Sequence, residues 1–272
     1  MRIIAGLLMT MIAGLLLIGL PEAQGEGVFI ITTTPKPPAV DCRGAVDGME
    51  ALIGDLVTPD YFIDEAMSGN EVAKTGTEFD VMEYFTVLDH LSMQEGYVLD
   101  YVYRGDSMGG LPVLYARLED QEPYSVFSEF AEAQGESTTS YLDSVEFDGT
   151  PDGYFQFVIL DVMASQFYLF WHANYNDYQI VCDAEDVEAI IADAGDGDMG
   201  LPMSEEAQEA ARQLQVEPVV TWTPDVAQVE VVLFTRWGGF ARWTFTISRE
   251  FPHTIQDITS ETLVEYDCGI MF

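Results

Sequence analysis

Val229-Glu230-Val231-Val232-Leu233-Phe234-Thr235-Arg236-Trp237-Gly238-Gly239-Phe240-Ala241-Arg242-Trp243-Thr244-Phe245-Thr246-Ile247 decides the fold class. Two runs of β-branched and aromatic residues flank a Trp-Gly-Gly-Phe turn, which reads as a β-hairpin. A connection this short permits only antiparallel pairing, because parallel neighbours need a crossover of about a dozen residues. Two further hairpins are predicted on the same grounds. One joins Tyr97–Tyr103 to Val113–Leu118 through Gly105-Asp106-Ser107-Met108-Gly109-Gly110. The other joins Tyr154–Val162 to Phe167–Ala173 and is entered through Asp148-Gly149-Thr150-Pro151-Asp152-Gly153.

Between and around the hairpins, apolar residues three and four apart predict helices near Val46–Val57, Phe79–Met93 and Ser125–Ala133. Two acidic helices are expected at Ala184–Ala192 and Ser204–Leu214, the second capped by Ser204. The expected class is α+β: antiparallel hairpins forming one sheet or two, with helices packed on one face.

The chain has 272 residues with 47 acidic and 10 basic side chains, a net charge of −37. Such imbalance often marks disorder, but 48% hydrophobic and 12% aromatic residues supply a core. Nucleic acid is excluded as an unassisted partner, since phosphate contacts need clustered bases and Lys36 and Lys74 are the only lysines.

Met1-Arg2 precede the apolar run Ile3 to Leu20, followed by Pro21-Glu22-Ala23-Gln24-Gly25. This is the pattern of a signal peptide, residues 1–25, cut after Gly25; the alternative is an uncleaved N-terminal anchor, the one expected membrane contact. Residues 26–40 form a Thr/Pro-rich leader around Thr32-Thr33-Thr34-Pro35-Lys36-Pro37-Pro38, and residues 41–272 form the globular domain. Removing residues 1–25 takes away Arg2 and Glu22, one charge of each sign, so the acidity belongs to the globular part. The expected location is extracellular or periplasmic.

An oxidising compartment pairs thiols, and Cys42, Cys182 and Cys268 allow one disulfide with one thiol left over. Cys42–Cys182 is placed ahead of Cys182–Cys268, and either contributes on the order of 4 kcal/mol by closing a long loop.

The candidate chemistry is sparse. His90, His172 and His253 lie at no metal-binding spacing from one another and are read as structural. No Gly-x-Ser-x-Gly elbow and no phosphate loop occurs. Asp161 stands inside the apolar run Phe157–Val162, where burial would require a partner or a proton. The loop Asp193-Ala194-Gly195-Asp196-Gly197-Asp198-Met199-Gly200 gathers Asp193, Asp196 and Asp198 as candidate calcium ligands, with Glu205 as an alternative to Asp193, although the same loop needs no metal as a solvated connection. No other cofactor is expected. Arg236, Trp237, Phe240, Arg242 and Trp243 concentrate bases and large rings at one hairpin tip, a candidate recognition edge for a protein or a glycan; the plainer alternative folds the rings onto the sheet.

Two function classes follow. The first is a non-enzymatic exported protein that binds a partner through a sheet edge or its hairpin tips. The second is a secreted hydrolase that cleaves a glycan with paired carboxylates, with the aromatic stretch Tyr154–Tyr178 as its sugar-facing wall.

Overall fold

The structure is a computed structural model and describes residues 39–135, 139–175, 177–195 and 200–270. The expected signal segment 1–25 and most of the leader lie outside the described residues. Among the described residues are seven helices and ten strands, all sheets being antiparallel, which is the α+β class expected.

The helices are α1 (Cys42–Ile53), α2 (Asp60–Met67), α3 (Tyr84–Val87), α4 (Phe127–Gln134), α5 (Pro151–Met163), α6 (Ala184–Gly195) and α7 (Glu205–Arg212). The strands are β1 (Leu91–Met93), β2 (Tyr97–Asp106), β3 (Gly109–Leu118), β4 (Val145–Phe147), β5 (Phe170–Trp171), β6 (Gln179–Val181), β7 (Val219–Trp222), β8 (Val226–Thr235), β9 (Gly239–Ser248) and β10 (Ile255–Val264). They form a β1-β4 pair, a three-stranded sheet β2-β3-β5, and a five-stranded sheet ordered β10-β9-β8-β6, with β7 also paired to β8.

The hairpin that decided the class is β8-β9, in register from Val226↔Ser248 to Thr235↔Gly239. Gly239 is required there: its φ is +75°, and a Cβ would lie 2.2 Å from the Val264 carbonyl oxygen. The first predicted hairpin is β2-β3, closed by Ser107-Met108, with the Met108 N–H donating to the Asp106 carboxylate at 2.7 Å.

The second predicted hairpin does not form. Tyr154–Val162 is the body of α5, because Thr150 caps its start by accepting the Gly153 N–H at 3.1 Å and Pro151 opens its first turn. An apolar run without periodicity suits a buried strand and a buried helix equally, and here the cap and the length of the run select the helix. Its residues from Gly153 to Leu160 are all buried. Phe167–Ala173 contributes only the two-residue β5, on the edge of β3. Gly110 makes that approach possible, since a Cβ there would stand 2.3 Å from the Phe170 ring.

Phe79–Met93 does not form one helix either. It divides into a 3₁₀ turn (Val81–Glu83), α3 and β1. Asp80 supplies the cap of the 3₁₀ turn, accepting the Met82 N–H at 2.9 Å. Beyond Leu88 tertiary partners take over: the His90 N–H donates to the Gln156 side chain at 2.9 Å, and Leu91–Met93 pairs with β4. Helix α2 was not anticipated; Phe62 and Ala66, four residues apart, form its buried face.

Alternation along β8 explains the two cores. Val229, Val231 and Leu233 face a large core shared with α1, α2, α5 and the β2-β3 hairpin. Val232 and Phe234 face the other way, into a second core with Val187, Ile190 and Ile191 of α6 and Ala211 of α7. Helices therefore cover both faces of the five-stranded sheet. A disulfide joins Cys42 to Cys182, tying the start of α1 to the segment after β6, while Cys268 is a buried free thiol.

Candidate functional site

The strongest candidate surface runs along β10. This strand pairs with β9 on one side, and among the described residues no backbone hydrogen bond leaves its other side. Residues Gln256 to Thr262 are all exposed. Register shifts occur between Ile255 and Asp257 and between Thr262 and Val264, the kind of irregularity that discourages unwanted pairing at an edge.

A groove of about 450 Å³ lies against the first half of this strand. One wall is five consecutive residues, Thr254 to Ile258, and the other is Ser140, Leu142 and Asp143 of a 3₁₀ turn together with Asp161 of α5. Thr254 precedes the strand and a register shift falls between Ile255 and Asp257, so this wall is the irregular start of β10.

Asp161 is the sequence-flagged acid that this groove contains. Among the described residues its carboxylate has no hydrogen bond and no ion pair, and burial alone lifts its carboxyl to about 6. Position on α5, not on a strand, points it toward the groove. Asp143 and Asp257 line the same groove, and no base does. The arrangement offers unpaired backbone groups and negative charge side by side. Among the described residues, no three His, Cys, Asp or Glu side chains converge as a metal site.

Of the hairpin-tip residues, Phe240 is buried and Arg236, Trp237, Arg242 and Trp243 are partly buried. Phe240 is fully buried, 0% exposed, against Phe234. Trp243 packs on the large core with its ring edge-to-face to Tyr178, and Trp237 is partly buried, its indole N–H donating to the Ile270 carbonyl at 3.2 Å. Arg236 pairs with Asp193 at 2.5 Å, and Arg242 donates to the Gln215 carbonyl at 3.3 Å. Of the candidate calcium ligands, Asp193 is thus engaged by Arg236, while Asp196 and Asp198 lie outside the described residues.

The histidines have structural surroundings. His90 is 2.7 Å from Asp148, which raises the histidine's pKa. His253 stacks on Phe147 and is held below its ordinary pKa by burial. His172 sits in a 3₁₀ turn after β5. Within the stretch Tyr154–Tyr178, Tyr154, Phe155 and Phe157 are buried residues of α5, while Trp171 is exposed.

A second exposed apolar cluster, missed from sequence, gathers at the other hairpin. Trp171 is 58% exposed with φ +53°, Gly109 is its strand partner, and the Met108 carbonyl accepts the His172 N–H at 3.1 Å. Met108 is itself exposed. The groove along β10 was also missed: Ile255 and Ile258 stand three apart, so Ile255-Gln256-Asp257-Ile258-Thr259 shows no strand alternation. No described helix is long and apolar enough to cross a membrane. No family model, no curated protein and no solved structure matches the chain.

Proposed function

We propose that this is a non-enzymatic exported binding protein that captures an extended polypeptide segment along the open edge of β10. The observation that carries it is the groove that lies against the first half of that strand. An added strand satisfies the outward N–H and C=O groups of β10, while side chains on one of its faces enter the groove. The acids lining the groove, Asp143, Asp161 and Asp257, favour a basic segment as the occupant. Pairing with a second copy is disfavoured by the same charges, because antiparallel self-pairing would set Asp257 and Glu261 of two chains of charge −37 against one another. The disulfide is compatible with an oxidising location outside the cytoplasm.

The test is amide hydrogen exchange with and without a peptide of alternating valine and lysine. The expected result is slower exchange at β10 on adding the peptide. Peptide binding that leaves β10 exchange unchanged would overturn the proposal, as would β10 protection that depends on protein concentration alone.

A second reading rests on Asp161. A carboxyl lifted to about 6 near two other acids is the kind of pair that serves glycoside hydrolysis. Release of reducing sugar from envelope glycans by the native protein, absent in Asp161→Asn, would favour it over capture.

A further inference from the structure

Asp161 is withdrawn from water without compensation. Other acids in that position have donors. Asp100 accepts from the Lys74 ammonium, from the Arg117 Nε at 2.9 Å and from the Tyr101 N–H at 2.8 Å. Glu78 accepts the Tyr61 and Thr75 hydroxyls and the backbone N–H groups of Thr75, Gly76 and Thr77. Asp186 accepts from Arg43 and from the Cys182 N–H, each at 2.7 Å. Asp161 accepts from no group among the described residues. The Tyr141 hydroxyl, which feels the Asp161 charge, donates instead to the Leu160 carbonyl at 3.1 Å. An ionised carboxylate in such a place calls for donors or a counter-charge.

The surroundings supply neither. Asp143 of the 3₁₀ turn and Asp257 of β10 line the same groove, and no base does. The elements packed against α5 carry Arg43, Asp47 and Glu50 on α1, Glu146 on β4 and Glu230 on β8. Arg43, the single cation of that set, is engaged by Asp183 and Asp186. Burial is the sole cause that lifts the Asp161 carboxyl to about 6, so none of these groups moves it. His253, one residue before the groove wall, stacks on Phe147 and is held below its ordinary value by burial. The carboxylate is open to the groove it lines. Among the described residues, the side-chain atoms sealed off without a partner are the Tyr101 hydroxyl and one oxygen of Asp177.

We propose that Asp161 selects the segment captured on β10 by taking the ammonium of one lysine side chain, whose hydrocarbon stem lies against Ile255 and Ile258. This selection presupposes capture along β10 and adds to it one required side chain and a dependence on acidity. An ammonium has three donors in different directions, which suits carboxylates arriving from three separate elements better than the flat fork of a guanidinium does. With its carboxyl lifted to about 6, Asp161 is largely protonated at about pH 5 and largely ionised at about pH 7.5. A neutral carboxyl has little attraction for an ammonium, so lysine binding strengthens as the pH climbs through about 6 and drives a proton from Asp161 to the solvent.

Two peptides test this: alternating valine and threonine with one central lysine, and the same peptide with glutamine in its place. Each is titrated calorimetrically into the native chain at about pH 5 and about pH 7.5 while amide exchange at β10 is followed. The lysine peptide is expected to bind about tenfold tighter at the higher pH and to release protons on binding, and the glutamine peptide to bind alike at both. Asp161→Asn is expected to lose the pH dependence and the preference for lysine together. A lysine peptide that binds equally at both pH values, or no tighter than the glutamine peptide at the higher one, would overturn the selection, while protection of β10 by both peptides leaves capture standing. A pH response that survives in Asp161→Asn would assign it to His253 and overturn the selection as well. No protection of β10 by either peptide removes capture and the selection with it. If Asp161→Asn fails to fold, the two peptides on the native chain still decide.

Discussion

Cys42, the first residue of α1, is bonded to Cys182, just past β6, with their Cα atoms 5.6 Å apart and a separation of 140 residues in sequence. Arg43 reinforces the joint, reaching Asp183 at 2.6 Å and Asp186 at 2.7 Å, and its guanidinium holds the Asp183 carboxyl below the usual carboxylate range. A crosslink over so long a loop restricts the unfolded chain more than it strains the folded one. The Cys42→Ser/Cys182→Ser chain is expected to fold and to lose about 4 kcal/mol, read as a lower urea midpoint. An unchanged midpoint would show that the unfolded chain is already constrained without the bond.

Asp161 makes stability fall as pH rises. Its folded carboxyl, lifted by burial to about 6, lies above the ordinary value of about 3.9 in the unfolded chain. The folded state therefore holds the proton more tightly. Its contribution is complete below about pH 4 and is lost as pH climbs through about 6, a change of at most ~3 kcal/mol. Asp161→Asn removes this dependence, so its stability relative to the native chain is expected to rise between about pH 4 and about pH 7.5. Urea unfolding at the two pH values measures it, and an equal difference at both would mean that Asp161 is solvated.

The β8-β9 turn is expected to be intolerant where a recognition tip would be tolerant. Gly239→Ala forces a side chain into a φ of +75° and within 2.2 Å of the Val264 oxygen, at a cost of about 3 kcal/mol. Phe240→Ala empties a fully buried ring position and is expected to cost about 3–5 kcal/mol. Trp222→Ala, at a ring 46% exposed, serves as the contrast and should stay within about 1 kcal/mol. Thermal unfolding of the three variants gives the comparison.

Net charge sets the response to salt. With −37 on the chain, repulsion among exposed acids opposes the compact state and is screened over about 10 Å at 0.1 M ionic strength. The Tm is therefore expected to rise as sodium chloride is added. The Lys74-Asp100-Arg117 pairs, whose side chains are only 19%, 12% and 18% exposed, are screened less and do not reverse the trend. A Tm that falls with salt would mean that ion pairs outweigh the repulsion.

Local patterns were legible wherever one period dominated. The β2-β3 and β8-β9 hairpins, α1, α4, α6 and the Ser204 cap of α7 follow from spacing and turn chemistry. Tyr154–Val162 was not legible, because a segment apolar on every side has no period to read. The helix expected over Phe79–Met93 was cut short by partners distant in sequence, Gln156 and β4. Asp161 was recognisable as an acid in an apolar run, yet its element was misassigned. Asp100, within Val98-Leu99-Asp100-Tyr101-Val102, carried the same signal and was passed over.

Composition and short-range spacing determined the charge, the α+β class, the antiparallel hairpins and the reservation of two of three cysteines for one bond, since each depends on residues near one another or on sums over the chain. Tertiary structure alone decided which cysteines meet, that Phe240 and Trp243 turn inward, that β10 keeps one side open, and that Lys74 and Arg117 converge on Asp100. Each of these is a matter of which surfaces are left after packing, and burial is shared among elements that no local stretch of sequence contains.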